Sequence, residues 1–262
     1  MIIHKIPIRN NLRNYFYILA DNQSKEALVI DPLAHKSCLE LAAEFGYNIT
    51  QVLNTHHHHD HIGGNDKVIN ATGAKLLAHS KAAIANVDQG LNVGDIVHVG
   101  RHQLSVLDTP GHTMSHVCLF YAGEEKSNIQ PALFSGDTLF NAGVGHCFSG
   151  GHPEVLFSTI TTAFDGLPEN TRLYPGHDYI ENNLRFTLDR EPSNSTAKGL
   201  LTQFSESLDV EDYTTTLGLE KKINVFMRLQ EDEIRNKFAQ EGVICDDDQS
   251  TFIALREVRN QW

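Results

Sequence analysis

Apolar and polar positions along the chain fall into two textures that change after residue 178. Before that point, short apolar runs broken by turn formers predict strands over residues 2–8, 15–20, 27–30, 51–54, 75–78, 96–99, 103–107 and 116–121. Ala132-Leu133 and Arg172-Leu173 are further strand-like runs, and Asp31-Pro32 ends the third strand. Two stretches in this half carry helical spacing instead. Leu39, Leu41, Ala42 and Phe45 recur on one side of residues 37–45 with Gly46 at the C-cap, and Pro153 opens residues 153–164 with Phe157, Ile160 and Phe164 aligned. Beyond residue 178 only helices are expected, over 180–188, 197–208, 231–241 and 250–258. The pattern predicts an α/β domain over 1–178 and a smaller α-helical domain over 179–262, with the best linker signal at Glu191-Pro192-Ser193-Asn194-Ser195.

Composition narrows the classes. At 262 residues the chain can bury a large core and is somewhat long for one ordinary domain. Its net charge of −12 argues against broad phosphate-backbone binding, so nucleic acid is not an expected partner. A small anionic substrate stays compatible with it, because bound cations and local Arg or Lys can make a positive cleft in an acidic protein. No stretch is long and apolar enough to span a bilayer, and the first residues lack a signal-peptide core, so no membrane partner is expected. Cys38, Cys118, Cys147 and Cys245 lack CxxC spacing, which favours reduced thiols and a cytoplasmic location over a disulfide framework.

The chemistry concentrates in Thr55-His56-His57-His58-His59-Asp60-His61. It follows the apolar run 51–54 and precedes the Gly63-Gly64 turn, which places four plausible ligands, His56, His58, Asp60 and His61, at a strand's carboxyl end. Three later segments repeat the arrangement of apolar run, glycine, then His or Asp: Pro110-Gly111-His112, Ser135-Gly136-Asp137 and Pro175-Gly176-His177. A glycine there lets the backbone bend so that the next side chain enters a shared cavity. His56, His58, Asp60, His61, His112, Asp137 and His177 are too many ligands for one tetrahedral zinc, so two metals are implied, with a carboxylate oxygen of Asp137 and a water or hydroxide able to bridge them. Spacing alone leaves open which ligands share a metal.

The pattern His56-x-His58-x-Asp60-His61 with His112, Asp137 and His177 resembles the metallo-β-lactamase superfamily. Within it, Ser135-Gly136-Asp137-Thr138-Leu139-Phe140, Gly176-His177-Asp178-Tyr179 with Asn182-Asn183-Leu184, and Ile223-Asn224-Val225-Phe226-Met227-Arg228 are similar to the glyoxalase II, or hydroxyacylglutathione hydrolase, family. The resemblance implies an αββα sandwich with a helical tail. It places His56, His58 and His112 on one metal and Asp60, His61 and His177 on the other. It implies two divalent ions, zinc first with iron or manganese as alternatives, and hydrolysis of S-D-lactoylglutathione to D-lactate and glutathione in methylglyoxal detoxification. Water between two dications loses its proton near neutrality, so attack on the thioester carbonyl needs no Ser or Cys nucleophile. Asp60 is the expected catalytic carboxylate, ligating metal and orienting that water.

On the substrate side the resemblance implicates Tyr179, Arg256 and Arg259 as glutathione contacts, together with His146 and Phe148 in Gly143-Val144-Gly145-His146-Cys147-Phe148. The family usually carries a Lys or Arg where this chain has His146, a weaker cation near neutral pH. That departure keeps another thiol carrier open. A phosphodiesterase or a mononuclear-iron persulfide dioxygenase of the same superfamily, and a metal or thiol-conjugate binder without turnover, are the remaining alternatives. A monomer is expected. His57 and His59 are expected to face away from the metals, Cys147 to be packing, and His4, His35, His79, His98, His102, His116 and His152 to be ordinary polar residues.

Overall fold

A computed structural model of the chain describes residues 1–124, 129–206 and 213–262. Its first half is two facing sheets, and the alternation along single strands shows why. In β2 (Tyr15–Ala20), Tyr15, Tyr17 and Leu19 point to one face while Phe16, Ile18 and Ala20 point to the other, and all six are buried. Both faces of this strand therefore need an apolar partner.

The first sheet is β1 (Ile2–Pro7), β2, β3 (Glu26–Ile30), β4 (Asn48–Leu53), β5 (Lys75–His79) and β6 (Gln89–Leu91), in that order. The second runs β13 (Arg172–Pro175), β10 (Ala132–Gly136), β9 (Val117–Tyr121), β8 (His102–Asp108) and β7 (Ile96–Val99). Between them lies one core, in which Tyr17, Leu28, Leu53 and Leu77 of the first sheet meet Val106, Leu119, Phe134 and Tyr174 of the second. On the outer face of the first sheet, Phe16, Ile18, Val29 and Val52 pack under α1 (His35–Phe45) and α3 (Asn65–Thr72) through Cys38, Ala42 and Val68. The outer face of the second, through Cys118, Leu133 and Leu173, is covered by Leu156 and Ile160 of α4 (Pro153–Thr162) and by the carboxyl-terminal helices. The layers are αββα, as expected.

The helical half comprises α5 (Ile180–Arg190), α6 (Ser195–Glu206), α7 (Leu217–Ile223), a 3-10 turn at Val225–Met227, α8 (Asp232–Gln240) and α9 (Asp248–Gln261). The last two positions of the helix expected over 197–208 lie outside the described residues. The α7 segment and the 3-10 turn were not anticipated. Residues 191–195 are no loose linker: Glu191 is buried against Arg228 at 2.6 Å, and Asn194 donates to the Lys222 carbonyl at 2.9 Å. The helices on either side share a cluster through Ile180, Leu184, Ala197, Leu200 and Ile223. Among the described residues no helix is long and apolar enough to cross a membrane.

Candidate metal centre

Four strand ends deliver the donors to one place. The chain leaves β4 at Leu53 and turns through His56 and His58 into the short helix α2 (His59–Ile62), which carries Asp60 and His61. His112 follows β8, Asp137 follows β10 and His177 follows β13. The glycines before the last two are required by close approach. A Cβ on Gly136 would meet His116 Nε2 and Thr55 at 2.7 Å, and one on Gly176 would lie 2.2 Å from Asp137 Oδ1.

Two sets of donor atoms form. His56 Nε2 and His58 Nδ1 are 3.0 Å apart, and His112 Nε2 lies 3.0 Å from His58 Nδ1 and 3.3 Å from His56 Nε2. In the second set, His61 Nε2 and His177 Nε2 are 3.3 Å apart, each 3.5 Å from Asp60 Oδ2. Asp137 sits between the sets. Its Oδ2 is 3.1 Å from His177 Nε2 and 3.5 Å from His112 Nε2, and its Oδ1 is 3.4 Å from His61 Nε2. Two of the close-set groups correspond to those the family pattern implies, and a third joins His56 and His61 with Asp137 between them.

The outward nitrogens explain why the inward ones are free to bind. His58 Nε2 donates to Ser149 O at 2.9 Å, and the Nδ1 atoms of His112 and His177 donate to His146 O and Leu12 O at 2.7 Å. A carbonyl only accepts, so those nitrogens carry the proton and the inward nitrogens of neutral rings present lone pairs. Lone pairs converging at about 3 Å repel one another unless a cation lies among them. His61 Nδ1 faces Asp31 Oδ2 at 2.8 Å, a carboxylate–histidine pair of the kind that orients metal ligands.

Electrostatics point the same way. Burial holds His56 well below the usual imidazole range and brings His112 down to about 3. Burial acts equally on His61, but the Asp137 and Asp31 carboxylates outweigh it and raise that ring to about 9. Asp137 is opposed by its own burial yet held well below the carboxylate range by His177 and His61. A cleft that draws a proton onto a buried histidine is short of positive charge. Asp137 Oδ1 is also buried without a hydrogen-bond partner. The donor set fits two divalent cations, nitrogen-rich on one side and carboxylate-bearing on the other.

Three supporting residues escaped the sequence reading. In the sequence Asp31 signals only the end of a strand, although it lies at the same end of the sheet as the donors. Asn14 donates to Asp60 Oδ2 at 2.9 Å and to its carbonyl at 3.2 Å. The reading of His116 as an ordinary polar residue is corrected: it is fully buried, and its Nε2 accepts the Asp137 N–H at 3.1 Å. Its Nδ1 then carries the proton, facing Thr109 and Thr138 hydroxyls at 2.9 and 3.0 Å. His57 is half-buried and His59 exposed.

Beside the donors stands an aromatic wall. The Tyr179 ring lies parallel to His177 at 5.0 Å, and Phe140 meets both edge-on. His146 stacks on the exposed Phe148 at 3.8 Å, and burial lowers its pKa to about 4, so at neutral pH it is an uncharged ring rather than a partial cation. Arg259 is half-buried and donates to Asn183 Oδ1 at 3.1 Å. Arg256 is buried, and its guanidinium donates to the carbonyls of Val144 and Gly145 at 2.9 and 3.2 Å. Its Nη1 is turned into the loop that carries His146, while its Nε donates to Asn260 Oδ1 at 3.1 Å. Cys147 lies in the core cluster with Leu156 and Phe252, where burial pushes the thiol up to about 11.

This fold, with metal donors gathered at its strand ends, defines a class: residues 11–177 match the metallo-beta-lactamase superfamily. The crystal structure of ETHE1 from Myxococcus xanthus superposes with a TM-score of 0.67 at 25% identity over 98% of both chains. Residues 178–262 match the hydroxyacylglutathione hydrolase C-terminus. The chain is 49% identical to the hydroxyacylglutathione hydrolase of Polaromonas sp. and 48% identical to that of Nitrosococcus oceani, in each case over 100% of both sequences. It belongs to the hydroxyacylglutathione hydrolase family, as its motifs indicate, and the fold with its donor clusters supports a dinuclear metal site.

Proposed function

We propose that this chain hydrolyses glutathione thioesters, taking S-D-lactoylglutathione and water to D-lactate and glutathione. The observation that carries the reading is the Asp137 carboxylate lying against both donor sets. His56, His58 and His112 would hold one cation and Asp60, His61 and His177 the other, with Asp137 placed beside both sets; zinc suits this donor chemistry, with iron or manganese as alternatives. When bound, two dications supply a water of lowered pKa and polarise the thioester carbonyl.

The protein's own groups do the rest. Asn14 fixes one oxygen of Asp60, leaving the other to accept a hydrogen bond from the attacking water and aim it. Tyr179 and Phe140 form the wall against which the thiol carrier lies, and Arg259 offers a cation beside it. His146 supplies a neutral ring stacked on Phe148 where the family usually has a cation, so carrier binding leans on Tyr179 and Arg259. This divides the labour at residue 178, donors before it and carrier contacts largely after it. The thiols of Cys38, Cys118, Cys147 and Cys245 are all free, which supports action in the cytoplasm. The test is metal analysis of the purified protein together with hydrolysis of S-D-lactoylglutathione, other thiol-carrier thioesters and a generic phosphodiester. Two metals per chain and selective thioester turnover are expected; a dimetal protein without thioesterase activity would overturn the reading.

A further inference from the structure

Beneath the aromatic wall lies a carboxylate that the proposed chemistry does not use. Glu220, on α7, is fully buried, and no cation lies within ion-pairing distance of it among the described residues. Three donors converge on it: the Ala142 N–H on Oε2 at 2.8 Å, the Asn224 amide on Oε2 at 3.1 Å, and the Thr215 hydroxyl on Oε1 at 2.5 Å. An acidic group with its solvent removed and only dipoles for company is costly to keep, so it marks a place where geometry matters.

What it holds is a tight hairpin. β11 (Leu139–Phe140) and β12 (Gly143–Val144) are joined by Asn141 and Ala142 alone, and Ala142 has φ of 56°. That conformation favours glycine or asparagine and costs an alanine about 1 kcal/mol. The turn is therefore held from outside. Besides the Glu220 bond to Ala142, Asn183 donates to Asn141 O at 2.9 Å, Asn224 donates to Gly143 O at 3.1 Å, and Asn141 donates to Thr215 at 2.8 Å. Asn183 in turn accepts from Arg259. The strand before the turn ends in Phe140, which packs on His177 and Tyr179; the strand after it leads to His146, whose carbonyl orients His112.

We infer that Glu220 is a positioning residue for the substrate-facing wall, clamping the Asn141–Ala142 turn so that Phe140, Tyr179 and the His146 arm keep their places beside the metal donors. It acts through the turn and touches no reacting atom. The inference rests on the reading of this cleft as the thioester site, but its test does not depend wholly on turnover. Glu220→Gln keeps size and one acceptor oxygen while turning the other into an amide donor that faces the donors around it; Glu220→Asp keeps the carboxyl group and withdraws it by one methylene. In Glu220→Gln, KM for S-D-lactoylglutathione should rise about fivefold or more with kcat within about twofold and two metals retained. Amide exchange should speed up in peptides spanning 139–147 and stay unchanged across the two central sheets. Glu220→Asp should fall between Glu220→Gln and the parent. Unchanged exchange at 139–147, or faster exchange throughout the molecule with KM unaltered, would overturn the inference. If the parent protein fails to hydrolyse the thioester, the proposed function falls, while local exchange at the turn still decides whether Glu220 holds it.

Discussion

Asp137 carries more of the site than any other side chain, because its carboxylate lies within 3.5 Å of donors from both sets. Asp137→Ala should leave about one metal per chain by elemental analysis and lower kcat at least a thousandfold; two metals with full turnover would refute its bridging role. The neighbour that aims it is His116. Replacing His116 with Leu leaves the Asp137 N–H unpaired in a buried place, which costs about 1–3 kcal/mol in denaturant unfolding and about 10–100-fold in metal affinity. His116 was illegible in the sequence because nothing in Met114-Ser115-His116-Val117 marks it; its partners Thr109 and Thr138 come from other strand ends. His112, Asp137 and His177 were legible because a glycine at a strand end precedes each, and His56, His58 and His61 because they crowd a single strand end. Glu220 gives a pH prediction. Burial lifts its pKa from 4.5 to about 7, with Tyr213 the ionisable neighbour facing it, so the folded protein holds a proton there that the unfolded chain has released. Its contribution is full below about pH 4.5 and fades as pH rises to 7, on the order of 3 kcal/mol, and Glu220→Gln should flatten that part of the stability profile.

Among the elements, the long strands were legible because their alternation serves two cores at once, as in β2 and β3. Short pieces were not. β6 has three residues, two of them exposed, and the β11–β12 hairpin has two residues a side, too few for a period to register. The segment 191–195 misled for a different reason. Its Pro, Ser and Asn residues signal a turn correctly, but the burial of Glu191 by Arg228 is a long-range pairing that local composition does not carry. At the element scale the strand-end turns are the vulnerable joints. In Gly176→Ala the added methyl would stand 2.2 Å from Asp137 Oδ1 and 2.9 Å from His61 Cε1, so either the turn or the carboxylate must move. The variant should keep the far-ultraviolet circular dichroism of the parent while losing most metal binding. Parent-like metal content would show that the turn has slack.

In the whole molecule the donors join the two sheets, since His56, His58, Asp60 and His61 hang from the first sheet and His112, Asp137 and His177 from the second. Cations bound among them are a tie across the open end of the sandwich, and the unfolded chain offers no such preformed set. Bound metal therefore stabilises by mass action, about 2.7 kcal/mol per site when free metal stands a hundredfold above Kd, or roughly 5 kcal/mol for two sites. For a chain of this size that corresponds to a melting temperature about 10–20 °C higher. Chelation should lower Tm by that amount, and adding back zinc should restore it in two steps, a shift with the first equivalent and a further shift with the second. The Asp137→Ala protein should show only one step. If chelation removes all metal and Tm does not move, the donors bind cations without tying the sheets, and the stability of the sandwich rests on its apolar core alone.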